Sequence, residues 1–171
     1  IKTRKNVEYN WAELICAVCL CFHIENKDKP NIKNILDLTR EEIPLLECEH
    51  FEEYKTDLLS RNRREVSKYI NVCWSSMSII IPLEKKENIK LVILSGKICR
   101  NPIINEKHKS IQNKRKSCKA DIYIIQKYNT IIGLSVKDSP KAPLSNYSVH
   151  KIFNNLGLID ETQLKKIKSR S

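Results

Sequence analysis

Glycine is scarce in this chain of 171 residues. Only three glycines are present, and neither G-x-x-x-x-G-K nor G-x-G-x-x-G occurs. Loops of that kind let the backbone approach a phosphate closely, so their absence disfavours a nucleotide-driven enzyme and a Rossmann dehydrogenase. Long apolar runs are missing too, since none approaches the roughly 20 residues that a membrane helix requires. The sequence therefore does not predict a membrane protein.

Acidic residues are too few to balance the basic ones. The chain has 31 Lys and Arg against 20 Asp and Glu, which gives a formal net charge of +11. Such an excess favours a polyanionic partner, either nucleic acid or an anionic membrane surface, although it can also serve solubility alone. The hydrophobic fraction of 41% is ordinary for a soluble domain. We expect nucleic acid, with DNA favoured over RNA, and no membrane partner.

The seven cysteines are an odd number and lie mostly inside apolar runs. We expect reduced, partly buried thiols in an intracellular protein of the cytoplasm or nucleus. A zinc site would have to combine Cys16, Cys19, Cys21 and His23, with Cys48 and His50 available to complete it. The first three cannot share one face of the helix predicted for them, so core cysteines are the better interpretation.

Apolar spacing divides the chain into a helical first half and a sheet. The pattern predicts a helix over 7–22, in which Glu13 interrupts an apolar face, and one long or two short helices over 44–74. Segment 23–34 is interpreted as a loop, and segment 100–119 as a basic loop or solvated connection. A short helix from Ser148 to Asn155 and a basic tail should follow. We expect one domain: helices over about 1–75, the sheet over about 77–140, then the helix and tail.

Short β-branched runs predict four strands, at 75–83, 88–96, 120–126 and 130–137. The last two are joined by three residues, which is hairpin length, so they should pair antiparallel. Counting from the turn sets Asp121 opposite Ser135 to Lys137. A carboxylate beside a lysine can simply form a cross-strand ion pair, worth about 0.2–1 kcal/mol. The same pair also suits phosphodiester hydrolysis, with the carboxylate on Mg²⁺ and the lysine orienting water and offsetting phosphate charge.

The text KAD at 119–121, followed after a turn by SVK at 135–137, resembles the PD-(D/E)XK nuclease superfamily. It is similar to the restriction-enzyme variant that carries Ser-x-Lys in place of Glu-x-Lys. The resemblance implies an α/β fold with a restriction-endonuclease-like αβββαβ core, a mixed sheet flanked by helices. It further implies an Mg²⁺-dependent endonuclease, with Mn²⁺ able to substitute, that acts as a homodimer on duplex DNA.

The resemblance implies catalytic roles for Asp121, Ser135 and Lys137, with Asp121 as metal ligand. Because a serine stands where the family usually has an acid, a second carboxylate must come from elsewhere. Glu13 is favoured, because the family often takes an acid from its first helix; Glu161 is the alternative, ahead of Glu106. No final strand is visible after the predicted helix near Val149.

Basic and polar residues around the motif should hold the phosphate backbone. Arg61, Arg63 and Arg64 are predicted on the solvent side of their helix. The full set comprises Arg61, Arg63, Arg64, Lys107, Lys109, Lys114, Arg115, Lys116, Lys119, Lys141 and Asn146. A non-catalytic nucleic-acid-binding module, or an assembly subunit that keeps a nuclease-like fold, remains the alternative, and a basic adaptor for an acidic protein surface is a third.

Overall fold

The computed structural model describes residues 9–96, 99–111 and 120–137. Within these ranges the chain forms five α-helices and four β-strands. The helices are α1 Trp11–Ile24, α2 Ile32–Asp37, α3 Phe51–Leu59, α4 Arg63–Ile80 and α5 Pro102–Ile111. The strands are β1 Leu46–Glu47, β2 Ile89–Leu94, β3 Ile122–Gln126 and β4 Ile131–Leu134.

The four strands form one mixed sheet in the order β1-β2-β3-β4. The short β1 pairs parallel with β2, whereas β2 with β3 and β3 with β4 are antiparallel. The predicted hairpin is confirmed, with Ile122 opposite Leu134 and Ile125 opposite Ile131. The chain is therefore mixed α/β, as the sequence predicts at that level.

Alternation along the central strands gives the sheet two buried faces. Val92 and Leu94 of β2, together with Ile122 and Ile124 of β3, belong to the larger apolar core that contains α1 and the buried sides of α3 and α4. The residues between them face a smaller core: Ile93, Tyr123 and Ile125, with Cys99 and Ile104 of the α5 region. Side chains alternate between faces along a strand, so both layers follow from one sequence pattern. The sheet is enclosed between helices.

Helix α1 lies at the centre of the larger core and is buried on nearly every side. It begins later than predicted because Asn10 is its N-cap, with the side-chain oxygen accepting from the backbone N–H of Ala12 at 2.9 Å. Glu13 falls in the first turn of this helix. An acidic residue is favoured electrostatically at that end.

The strand predicted over 75–83 is wrong, because α4 continues to Ile80. Val66, Ile70, Cys73 and Met77 form one buried helical stripe that runs into this segment. The helix ends before Pro82, which disfavours helical geometry in the residue before it. Packing of the stripe on α1 outweighs the weak strand preference of the isoleucines.

Two other segments contain helices that the sequence interpretation treated as loops. Helix α2 starts inside the polar stretch 23–34, with Asn31 as N-cap. Helix α5 occupies much of the basic stretch 100–119, and Asn101 caps it by accepting from the backbone N–H groups of Ile103 and Ile104. Lys107 and Lys109 therefore lie on a helix rather than in a loop.

Several predicted features lie outside the described residues. These are Cys118, the helix from Ser148 to Asn155, the basic tail, and the residues Lys114, Arg115, Lys116, Lys119, Lys141, Asn146 and Glu161.

Candidate functional site

The hairpin places Asp121 where β3 begins, opposite Ser135 just past the end of β4. The backbone N–H of Asp121 donates to the carbonyl oxygen of Leu134 at 2.9 Å. The Oδ2 atom of Asp121 accepts from the backbone N–H of Val136 at 2.7 Å and from the Ser135 hydroxyl at 3.4 Å. The carboxylate is thus fixed by the Ser-x-Lys segment that follows β4.

Lys137 lies beyond β4, which ends at Leu134 rather than at the predicted 137. One reason is that the backbone N–H of Val136 bonds to a side chain instead of continuing the sheet. The carbonyl oxygen of Lys137 accepts from the Tyr69 hydroxyl on α4 at 3.0 Å. Among the ion pairs of the described residues, none joins Lys137 to Asp121. The backbone of Lys137 is therefore held near the site, and its side chain does not form the cross-strand ion pair with Asp121.

Glu13 of α1 lies within electrostatic reach of Asp121, which immediately precedes β3. The pKa of Glu13 is raised from an ordinary 4.5 to about 7, first because burial removes water from its carboxylate and second because Asp121 is negatively charged. The structure thus places Glu13 in the neighbourhood of Asp121. The two acids come from opposite ends of the described chain.

Tyr54 is a buried residue of α3 that the sequence interpretation did not select. Its hydroxyl donates to Glu13 Oε2 at 3.3 Å, and this bond opposes the rise in the pKa of Glu13. Burial and the charges of Glu13 and Asp121 together raise the pKa of the Tyr54 hydroxyl well above its usual range. Tyr54 therefore acts as a hydrogen-bond donor within the site. Only its helical spacing was visible in the sequence, and that indicated a core residue.

A cavity of about 110 Å³ lies beside Tyr54, at the ends of β1 and β2. Ser95 follows β2 and donates its backbone N–H to the carbonyl oxygen of Asp121 at 3.4 Å, so the cavity adjoins the carboxylate site. Gly96 comes next, with φ +60, and a Cβ there would lie 3.5 Å from the Tyr54 hydroxyl. The remaining lining residues are Glu47, Glu49, His50, Ile93, Leu94, Cys99, Arg100, Asn101 and Pro102.

The three predicted phosphate-binding arginines at the α3–α4 junction differ in environment. Arg63 and Arg64 are exposed at the start of α4, as predicted. Arg61 is less exposed, and its guanidinium lies 3.0 Å from Asp57 Oδ1. The other oxygen of Asp57 accepts from the backbone N–H of Trp11 at 2.8 Å. Arg61 thus belongs to a network that joins α3 to the start of α1.

The described cysteines form no metal cluster. Cys16, Cys19, Cys21, Cys48, Cys73 and Cys99 are buried, and none of them forms a disulfide. Their burial agrees with the interpretation of these cysteines as core residues. The His23 ring is engaged with the carbonyl oxygen of Ile81 at 2.8 Å. Over residues 9–96, 99–111 and 120–137, no group of three or more His, Cys, Asp or Glu side chains is placed to hold a metal ion.

Comparisons with known proteins found no matching family model, curated protein or solved structure. In the part of the chain that the structure describes, no helix has the length and apolar character needed to cross a membrane.

Proposed function

We propose that this chain is a metal-dependent endonuclease that hydrolyses phosphodiester bonds of nucleic acid, preferably DNA, on a PD-(D/E)XK-type core. The observation that carries the proposal is the position of Glu13, which accepts a hydrogen bond from Tyr54 within electrostatic reach of Asp121, at the end of the hairpin that carries Lys137. Burial and the nearby Asp121 raise the pKa of the Glu13 carboxyl, and a strongly perturbed carboxyl of this kind is typical of functional sites.

The donor set fits a hard divalent cation. Glu13 and Asp121 would supply carboxylate oxygens, and a cation held there would offset the charge of Asp121, which adds to the effect of burial in raising the pKa of Glu13. Mg²⁺ commonly binds through one or two carboxylates, with water and substrate phosphate completing its shell, so a third protein ligand is not required. When bound, the metal would polarise the phosphate and lower the pKa of a water molecule. Mn²⁺ would serve in the same oxygen site.

The chain's own residues have separable tasks in this proposal. The backbone N–H of Val136 fixes the orientation of the Asp121 carboxylate. Lys137, whose backbone is held by Tyr69, would orient the attacking water and offset the charge that develops on the phosphate oxygens. Tyr54 holds the Glu13 carboxylate by its hydroxyl. The exposed Arg63 and Arg64 would bind the phosphate backbone.

The direct test is cleavage of plasmid, linear duplex, branched DNA and single-stranded RNA with Mg²⁺, with Mn²⁺ and with chelator. We expect metal-dependent cutting that falls at least a hundredfold in Asp121→Asn, Glu13→Gln and Lys137→Ala, because each change removes a group that acts on the phosphate or metal. Binding measured in chelator should change little. A matched control is Lys127→Ala, which removes a lysine at the opposite end of the same hairpin and should leave cutting unchanged.

The competing function is a nucleic-acid-binding module without catalysis, which Ser135 in place of an acid favours. Such a module would bind DNA but cut none of the substrates with any metal. Its binding would not respond to substitutions at Asp121 or Lys137. That result would contradict the endonuclease proposal while leaving the charge argument intact.

A further inference from the structure

The cavity beside Tyr54 lies at the sheet end where the two parallel strands finish. Glu47 is the last residue of β1, Ser95 follows the last residue of β2, and both line it. A crevice outside the carboxyl ends of strands is a common place for ligands in α/β sheets. Because Ser95 bonds to the backbone of Asp121 and Tyr54 bonds to Glu13, any occupant would sit next to the carboxylate pair.

The charges around the cavity disfavour a phosphate inside it. Two carboxylates, Glu47 and Glu49, line it against one permanent cation, Arg100. Arg100 is itself 3.8 Å from Glu49, and its side chain is 73% exposed, so it lies at the mouth. An occupant that presents hydrogen-bond donors to the interior is favoured over an anion.

Glu47 is oriented so that one of its oxygens remains available as an acceptor. Asn101 is buried and fixed by the start of α5, where its Oδ1 accepts from the N–H groups of Ile103 and Ile104 at 3.0 and 3.3 Å. Its Nδ2 donates to Glu47 Oε2 at 2.9 Å. No described residue donates to Glu47 Oε1. The carboxylate is therefore prepositioned, and its second oxygen can accept from a ligand.

The size of the cavity suits a single ring. A dry engineered cavity of about 150 Å³ holds one benzene molecule, and this open-mouthed cavity measures about 110 Å³. A pyrimidine base is larger than benzene, so it would enter edge first and project through the open mouth, whereas a purine carries a second ring and would fit less well. Among the pyrimidines, cytosine presents an amino group, for which Glu and Asp carboxylates are acceptors, whereas thymine and uracil present a carbonyl oxygen there.

We propose that this cavity binds an unpaired cytosine base of the substrate, with Glu47 accepting a hydrogen bond from the exocyclic amino group. The inference rests on the proposed function and narrows it to strands whose bases are unpaired or extruded, because a base stacked in a duplex cannot enter such a cavity. Asn101 acts as the positioning residue for Glu47. Arg100 at the mouth is placed to meet the neighbouring phosphate.

The test measures binding of the whole chain, in chelator, to 20-nucleotide single strands by fluorescence anisotropy. One strand alternates dC with dT, a second contains dT alone, and a third carries N4,N4-dimethylcytosine in place of dC. We expect the dC strand to bind about tenfold more tightly than the other two, since a carboxylate bond to cytosine discriminates by that order. A parallel rC and rU pair shows whether the base is read in DNA, in RNA or in both.

Glu47→Gln should reduce the preference for dC to about onefold while leaving affinity for the dT strand unchanged. Glu41→Gln, which removes the same charge from an exposed position, should keep the preference. Equal affinity of the unaltered protein for the dC, dT and dimethylated strands overturns the cytosine site, and this comparison needs no variant to fold. If cleavage of other substrates persists in that case, the proposed function stands; if no nucleic acid is bound or cut, both fail.

Discussion

Glu13 shows how one residue can be placed against its own electrostatic preference. It sits in the first turn of α1, where a negative charge is favoured, yet burial and Asp121 together raise its pKa to about 7. The hydroxyl of Tyr54 only partly compensates. The ionised side chain therefore lowers the free energy of unfolding, and binding of a metal or a proton would offset this loss.

This placement predicts that stability falls as pH rises from about 4.5 to 7. The folded chain holds the proton of Glu13 more tightly than the unfolded chain, so the contribution is complete below 4.5 and lost above 7. Glu13→Gln keeps the shape without the charge. In metal-free buffer at pH 8 it should be more stable than the unaltered protein by up to about 3 kcal/mol, and nearly equal at pH 4.

Denaturant titrations of both proteins at pH 4, 6 and 8 in chelator would measure that difference. Glu87→Gln, at an exposed position, is the control and should show no dependence of this size. If the difference in the free energy of unfolding between Glu13→Gln and the unaltered protein is constant with pH, the raised pKa of Glu13 is contradicted.

At the scale of elements, hydrophobic periodicity was enough to predict a helix or strand with one buried face. It was not enough where the same residues fitted both a helix and a strand. The spacing of Trp11, Leu14, Ile15 and Val18 correctly predicted a helix, and the three-residue connection correctly predicted the hairpin. The segment from Met77 to Ile80 is short and ends in β-branched isoleucines, so its inclusion in α4 depended on packing against α1 that no local pattern contains. The capping roles of Asn31 and Asn101 were visible only as polar residues in polar segments.

The same limit applies to the site. Asp121, Ser135 and Lys137 are near one another in sequence on a hairpin, so counting was enough to bring them together. Glu13 was selected because the family that the motif resembles often takes an acid from its first helix, and because Glu13 interrupts an apolar face there; only the second signal lies in the local pattern. Tyr54 and the cavity were missed, since a hydroxyl at core spacing and three separate stretches of chain become a site only when β1 pairs with β2.

The end of α4 provides a test at this scale. Ile79 lies within the helix and is 74% exposed, whereas Ile81 follows the helix in an extended conformation and is 1% exposed, so neighbours that look alike in sequence have different environments. Ile81→Ala should lower the free energy of unfolding by about 2–4 kcal/mol, because it removes buried methylenes and leaves a cavity.

The matched variant Ile79→Ala should change the free energy of unfolding by less than about 0.5 kcal/mol. Urea denaturation followed by circular dichroism measures both. A large cost at Ile79 with none at Ile81 would mean that the segment runs in a different register.

For the whole molecule, the excess of positive charge should appear as a steep salt dependence of nucleic-acid binding. Each phosphate contact releases counterions, so the logarithm of affinity falls linearly with the logarithm of salt concentration. Arg63 and Arg64 begin α4, and Tyr69, about 9 Å further along the axis at 1.5 Å per residue, bonds to Lys137. Both arginines are therefore exposed on the helix whose Tyr69 contacts the backbone of Lys137.

Replacing Arg63 and Arg64 together by Ala should reduce the magnitude of the salt slope by about 2, one for each lost phosphate contact. Binding of duplex and single-stranded DNA between 50 and 300 mM salt, on the order of the range used for such slopes, measures it. Lys90→Ala is the control, because Lys90 is exposed near the start of β2, at the other end of the sheet. Equal slopes in all three proteins would place the phosphate path elsewhere.

The wide separation of Glu13 and Asp121 along the chain has a kinetic consequence. Contacts between such distant segments form slowly, because the entropy lost on closing a long loop must be overcome before the contacts stabilise the chain. Near pH 6 the unfolded Glu13 is ionised and the folded one is largely protonated, so docking of α1 beside β3 draws a proton from solution. A pH dye in a stopped-flow refolding experiment would therefore report the assembly of the site itself, separately from the growth of its helices.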